Sequence, residues 1–238
     1  MDCQPNWRRR VDGLLNALLP QPCVVCRLDQ QANGLCPACR RHLPWVPRAC
    51  RRCALPLPAG PDRLCGACLS HPPVFDAALA PLRYRFPVDR LVHAFKFQRD
   101  LAAGRVLTEL LVEQITASGE MPADLIVPVP MHRWRLAARG LNPAFEIARR
   151  CGQSLTVCVA AHQLQRSRHT RTQTGLDAAA RRRNLRGAFR WRGQCVAGQV
   201  VALVDDVMTT GSTVSECTRV LKRAGAGRVS VWALARAI

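Results

Sequence analysis

The sequence predicts an α/β fold, a mainly parallel, doubly wound sheet, preceded by a small cysteine-rich module. Three observations carry this. Four apolar runs, at 124–130, 154–160, 199–205 and 228–234, are short, rich in Val and Leu and without period-2 polarity, as strands buried on both faces are. Stretches with the apolar spacing of helices, 101–119, 142–152 and 212–227, alternate with them. Eight of the thirteen cysteines crowd between Cys23 and Cys68.

A chain of 238 residues, 48% hydrophobic, can bury one sizeable core and carry a small accessory module. The division falls after residue 75. From Pro20 to Pro73 the chain is dense in Cys, Pro and Arg with no sustained period, so residues 1–75 form the module and 76–238 the α/β domain. Ahead of it, Arg8-Arg9-Arg10 and VDGLLNALLP imitate a signal peptide, but Asp12 and Asn16 break the apolar run and no small-x-small site follows; a short amphipathic helix is expected. No 18-residue apolar stretch occurs, so no membrane span is expected.

Within the module the cysteines form four C-x-x-C pairs, with nine residues between Cys26 and Cys36 and eleven between Cys53 and Cys65. Each C-x-x-C turn places two thiolates on one knuckle, and two knuckles close a sulfur tetrahedron around Zn²⁺. Two structural zinc ions follow, held in sequence by Cys23, Cys26, Cys36 and Cys39, then Cys50, Cys53, Cys65 and Cys68; an interleaved pairing satisfies the same count. Redox dithiols or an iron–sulfur cluster are the competing uses of these thiols. With four protein ligands per ion no position is open for a catalytic water, and the metal replaces a core that a Pro-rich segment of this size cannot build. Metal-bound thiolates fit a reducing, cytoplasmic location. Cys151, Cys158, Cys195 and Cys217 lie in strand or helix patterns and are expected to be inert buried thiols.

In the α/β domain, Asn142 is the expected N-cap and Pro143 the first residue of the second helical segment. The most informative string is VVALVDDVMTTGSTVSECTRVL, 200–221: a buried strand ends in Asp205 and Asp206, and Thr209, Thr210, Gly211, Ser212 and Thr213 open a helix. Backbone N–H groups at such a helix start lack intrahelical partners and the helix dipole adds positive potential, so the loop is a phosphate cradle. Gly211 lets the backbone approach the anion, the hydroxyls donate to it, and the two carboxylates stand where ribose hydroxyls would donate. The plainer reading is a solvated strand end followed by a capped helix.

The formal charge of +19 attracts phosphate-rich partners but does not select a reaction. Arg residues with Trp134, Trp191, Phe189 and Phe97 offer charge and stacking surfaces to a single strand of nucleic acid, although aromatics are only 5% of the chain and most are expected in the core.

The string V-D-D-x-x-T-T-G-x-T resembles the loop of type I phosphoribosyltransferases that binds phosphoribosyl pyrophosphate (PRPP). Taken with the double ribbon, nearly the whole chain resembles the ComF/GntX family. Family motifs are matched by Val127-Pro128-Val129-Pro130, by Arg133 or Arg135, and by Arg139-Gly140-Leu141-Asn142, with Pro143 in place of a Gln. Arg168, Gln173, Arg183, Asn184 and Gly187-Ala188-Phe189 are similar to a family segment expected to hood the site; a basic disordered loop is the alternative. Lys96, in LVHAFKFQRD, is either a phosphate contact or a solvated residue between two core-facing Phe.

The resemblance implies PRPP or another ribose phosphate as ligand, Mg²⁺ arriving with it, and a role in natural transformation, with single-stranded DNA and DNA-processing proteins as partners. The alternative it implies is an active transferase moving ribose 5-phosphate from PRPP to a small base or amine. Oxopurine transferases carry an Asp before the Thr-Gly of this loop; Thr209 stands there, which disfavours that reaction. His132 is the remaining candidate base, against the commoner role of a satisfied surface histidine.

Overall fold

The computed structural model describes residues 21–28, 30–31, 34–61, 63–119, 122–167, 185 and 187–238. The expected N-terminal helix and the hood residues Arg168, Gln173, Arg183 and Asn184 lie outside them. The elements run β1 (Gln21–Pro22), β2 (Gln30–Gln31), α1 (Pro37–Arg41), α2 (Gly66–Ser70), β3 (Ala77–Leu79), β4 (Leu82–Arg83), α3 (Val88–His93), a π-helical turn (Ala94–Gln98) and α4 (Leu101–Ala117). They continue with β5 (Leu125–Pro128), α5 (Arg133–Arg139), α6 (Pro143–Leu155), β6 (Cys158–Val159), β7 (Leu164–Arg166), β8 (Phe189–Trp191), β9 (Val200–Met208), α7 (Ser212–Arg223) and β10 (Arg228–Arg236).

The main sheet has the order β3-β10-β9-β5-β6, with β4 also beside β10, and every pairing is parallel. Its centre is β9 and β10, paired from Arg228↔Val200 to Arg236↔Met208. Successive side chains of a strand point to opposite faces. Val201, Leu203, Val229 and Val231 therefore join one apolar cluster, with Val214, Cys217 and Leu221 of α7, while Ala202, Val204, Trp232 and Leu234 join the other, with Val106, Leu107 and Leu110 of α4 and Ile147 of α6. A strand apolar at every position has two faces to bury, which is why these runs carry no alternation.

One expected strand is shorter than 154–160. Ser154 and Leu155 belong to α6, because Ile147, Ala148, Cys151 and Leu155 share a helical spacing and pack in one cluster; Thr156 then ends the helix in the left-handed region at φ 58°. Only Cys158 and Val159 remain to pair with Leu125 and Ile126.

The cysteine-rich segment is packed on the sheet. Val24 and Leu43 enter the cluster of α4, and Arg40 pairs with Glu113 there. Cys50, Cys53, Ala54 and Cys68 enter the cluster of α7. Between these two footholds the chain runs along the outermost strand: Trp45 bridges Leu82 antiparallel, Val46 N–H donates to Pro81 and Arg83 N–H to Pro44, both at 2.8 Å. Arg236, 7% exposed, draws the second foothold inward. Its Nε donates to the Cys53 carbonyl and its Nη1 to the Met208 carbonyl, each at 2.9 Å, and Nη1 also reaches the carbonyls of Thr209 and Ala237.

Candidate anion site and metal centres

Eight cysteines form two separate tetrads, Cys23/Cys26/Cys36/Cys39 and Cys50/Cys53/Cys65/Cys68, with the sulfurs of each within 4.8 Å of one another. The grouping is sequential, not interleaved. Zn–S bonds of about 2.3 Å in a tetrahedron set sulfurs about 3.8 Å apart, and Cys26–Cys36 and Cys53–Cys65 lie at 3.9 and 3.6 Å. Short helices α1 and α2 start directly after Cys36 and Cys65, so each later knuckle sits on a helix start. The Cys36 and Cys65 amides donate to Cys23 and Cys50 sulfur. Burial alone would raise these two thiols, but the surrounding N–H donors outweigh it and bring Cys23 to about 6 and Cys50 to about 7. Cys39 and Cys68 are pushed up by burial and by the sulfurs around them, an arrangement that a divalent cation relieves. The donor sets fit zinc.

The second site lies at the carboxyl ends of β5 and β9. From β5 the chain crosses through α6 to β6 on one side, and from β9 through α7 to β10 on the other, so the strand order reverses between β5 and β9. Open α/β sheets bind ligands in the crevice at such a switch point. A cavity of about 350 Å³ opens here, floored by Asp205, Asp206 and the Thr209–Val214 loop and walled by Lys96, Arg135, Arg139 and Arg166.

Gly211 is the N-cap of α7 at φ 74°, a left-handed conformation, and has no side chain to cap with, while the Ser212 N–H donates weakly to Thr210 Oγ1 at 3.4 Å. Thr210 and Ser212 hydroxyls lie 2.9 Å apart at its mouth. Both carboxylates are half-buried residues of β9 itself, which continues to Met208. Asp205 accepts from the Asp206 amide at 2.8 Å. Burial, and then the neighbouring Asp206 charge, push the Asp205 carboxyl up to about 7. Asp206 pairs with Lys96 at 2.7 Å. The π-helical turn produces this pairing: it buries Phe95, aims Lys96 into the cavity and leaves Phe97 59% exposed, so only one of the two flanking Phe faces the core. Arg139 stacks its guanidinium 4.5 Å from the Phe97 ring, and burial pulls its pKa down.

The double zinc ribbon family model matches residues 14–69. The DNA utilization protein YhgH of Salmonella typhimurium is 34% identical over 226 residues, 92% of this chain and 99% of that protein. Competence protein F of Haemophilus influenzae is 34% identical over 224 residues, 90% and 96% of the two chains. This chain belongs to the ComF family.

Solved structures similar to this ComF-family protein include a phosphoribosylpyrophosphate synthetase from Mycobacterium smegmatis, at 20% identity and a TM-score of 0.31, covering 54% of this chain and 31% of that one. Another is the glutamine PRPP amidotransferase of B. subtilis, at 17% identity and a TM-score of 0.40, covering 60% and 30%. The matched part spans about a third of each of these longer chains.

Asn142 and Gly140 serve the backbone around the cavity. Asn142 caps α6 by accepting from Ala144 N–H, and its Nδ2 donates to the Val129 carbonyl at 3.1 Å, tying the helix start to the end of β5. Gly140 closes α5 at φ 77°, and a Cβ there would sit 2.2 Å from the Arg99 guanidinium. His132 is buried and caps α5, its Nδ1 accepting from Trp134 N–H. Among the remaining thiols, Cys151 and Cys217 are buried, Cys158 is half-buried, and Cys195 is exposed, contrary to expectation. It lies in the loop before β9 rather than in a strand. Tyr84, Arg166 and the interior Arg236 carry no local sequence signal; only the turn from β4 into α3, the β7–β8 hairpin and β10 bring them to the site.

Proposed function

We propose that this ComF-family protein binds PRPP or a related ribose 5-phosphate in the switch-point cavity and serves the handling of imported single-stranded DNA. One observation carries the ligand: two adjacent carboxylates and a Thr-Thr-Gly-Ser-Thr helix start with glycine at the N-cap share the floor of one cavity walled by cations. The 5-phosphate is received by the Thr209, Thr210, Ser212 and Thr213 hydroxyls and the first-turn N–H groups of α7, with Gly211 keeping the approach clear. Ribose hydroxyls donate to Asp205 and Asp206. Lys96, Arg135 and Arg139 face the rest of the anion. Asp205 and Asp206 are the cavity's oxygen donors that would hold a Mg²⁺ arriving with the diphosphate, and the ion would supply charge neutralisation there. The DNA role is supported by the DNA utilization and competence functions that the relatives' names give, and by the +19 charge.

Calorimetry with PRPP and Mg²⁺ tests the reading. The Asp205→Ala/Asp206→Ala pair should lose binding and keep its fold; retained affinity places the ligand elsewhere. Turnover is a second reading: Asp205 and Asp206 stand side by side on the cavity floor, and burial together with the Asp206 charge pushes the Asp205 carboxyl up, the direction a proton-transferring group needs. Pyrophosphate release in the same samples separates a transferase from a binder.

A further inference from the structure

A second concave surface lies at the other end of the sheet. Arg228 opens β10 opposite Val200, whereas the anion cavity lies at the carboxyl ends of the strands. The run from Arg228 to Arg236, at about 3.3 Å per residue, sets the two ends about 26 Å apart. At the amino end the second cysteine tetrad meets the sheet edge and leaves two adjoining cavities, of about 440 and 560 Å³. Arg51, Arg63 and Arg228 line both, and Arg52 lines the first. The two form one groove with a continuous cationic wall.

The metal knuckle and the sheet place these side chains together. Arg51 and Arg52 are the two residues between Cys50 and Cys53, and Arg63 stands two before Cys65. The Arg51 N–H donates to the Arg63 carbonyl at 2.9 Å, and the Arg51 carbonyl accepts from the Ala78 N–H of β3 at 3.0 Å. Arg228 comes from β10, the strand beside β3. The charge is not consumed locally. Asp76, an acidic lining residue, already accepts from Lys222 at 2.7 Å and from the Val229 N–H at 2.8 Å. Among the described residues, no ion pair includes Arg51, Arg52, Arg63 or Arg228. A zinc held by four thiolates is a doubly negative centre, but Arg236 already interacts with the Cys53, Cys65 and Cys68 sulfurs, so four more cations exceed what that centre needs.

None of Trp134, Trp191, Phe189 and Phe97 lines the groove, and Phe189 is buried, so no ring stands there for a base to stack on. What the groove offers is guanidinium forks, which hold phosphate oxygens in pairs and carry no sequence information. We infer that this groove holds a nucleic-acid strand by its phosphates, independently of sequence and clear of the ligand cavity, so that both can be occupied at once. The inference rests on the proposed role in DNA handling and gives that role a surface.

The test is fluorescence anisotropy of a labelled, mixed-sequence single-stranded DNA across a series of salt concentrations. Each phosphate contact to a single strand contributes about 0.7 to the slope of log affinity against log salt. Arg51→Gln/Arg63→Gln/Arg228→Gln should therefore flatten the slope by about 2 and weaken binding roughly tenfold to a hundredfold at 0.1 M salt. Zinc content and ribose 5-phosphate affinity should stay at parent values, since Gln keeps the backbone hydrogen bonds. Arg41→Gln/Arg90→Gln/Arg192→Gln removes the same charge from exposed positions elsewhere and should change binding less than about threefold. An equal loss in that control means that the whole field binds the strand and overturns the inference, as does a groove variant that binds like the parent. If the triple variant loses zinc, the single exposed changes Arg51→Gln and Arg63→Gln carry the test, each flattening the slope by about 0.7; unchanged slopes overturn it. Displacement of the strand by polyglutamate at equal charge concentration would reassign the groove to an acidic protein. A parent that binds no strand at low salt removes the DNA role together with the groove, while ribose 5-phosphate calorimetry reports on the cavity separately.

Discussion

Replacing Arg236 by Met should cost stability and ligand affinity together. The side chain is almost fully buried, and its guanidinium ties the Cys53 carbonyl of the second cysteine tetrad to the Met208 and Thr209 carbonyls that lead into the anion loop. A hydrogen bond from a charged donor contributes about 1.5–3 kcal/mol net, and three of the four acceptors share one nitrogen, so two such bonds are the fair count. Removing the desolvated charge offsets part of that. The balance is about 2–4 kcal/mol, which for a chain of this size lowers Tm by roughly 5–15 °C. Freed of its anchor, the Thr209 carbonyl no longer fixes the loop, and each 1.4 kcal/mol lost there is a tenfold loss of affinity. Thermal unfolding of the zinc-loaded protein by circular dichroism and ribose 5-phosphate calorimetry read the two effects. Arg236→Lys should sit between, since an ammonium lacks the planar fork that reaches both sides. A Tm within 2 °C of the parent, with unchanged affinity, would refute the reasoning; so would full function in the Lys variant.

Three other expectations rest on single features. The folded-state pKa of Asp205, about 7, lies above the ordinary carboxylate value of about 3.9, so ionising it opposes folding increasingly as pH rises between these values and constantly above them, by at most about 1.4 kcal/mol per pH unit; Asp205→Asn should therefore raise Tm more at pH 8 than at pH 5, and equal gains would contradict the burial argument. Gly211→Ala meets only ordinary contacts at 3.7 Å from Phe75, so its cost is the left-handed backbone, about 1–2 kcal/mol in urea unfolding, and a neutral result would mean that the loop has relaxed. Cys50→Ser should halve the metal content measured by atomic absorption, from two ions to one, and lower Tm, whereas two retained ions would overturn the tetrad assignment.

The parallel sheet was legible because its central strands are apolar at every position, a pattern that admits burial on both faces and little else. The helix start at Asn142-Pro143 and the loop from Thr209 to Thr213 were legible for the same kind of reason, as local chemistry with a local consequence. Ser154 and Leu155 misled, since Leu155 suits a strand by propensity and a helix by its spacing from Ile147 and Cys151, and packing decides between them. Lys96 was ambiguous until the π-helical turn rotated it toward Asp206 and turned Phe97 outward. Arg236 was silent because a lone Arg in an apolar run declares its partners only when distant segments converge, and Arg166 because nothing distinguishes it within a polar, basic stretch. The four-cysteine spacing permitted two pairings, and the chain path between the knuckles chose one.

The segment from Pro44 to Val46, clipped along β4 between the two metal tetrads, has a bearing on solubility. A sheet's outermost strand offers unpaired backbone groups to any neighbouring chain, and proteins must shield such edges. Here the shield is held in place at both ends by metal. A cell short of zinc would not merely lose a small module; it would bare a strand edge flanked by two opened apolar clusters, and the expected fate of such a chain is edge-to-edge association and clearance. Stripping zinc should therefore bring association as well as loss of the module, and light scattering of the chelated protein reads it.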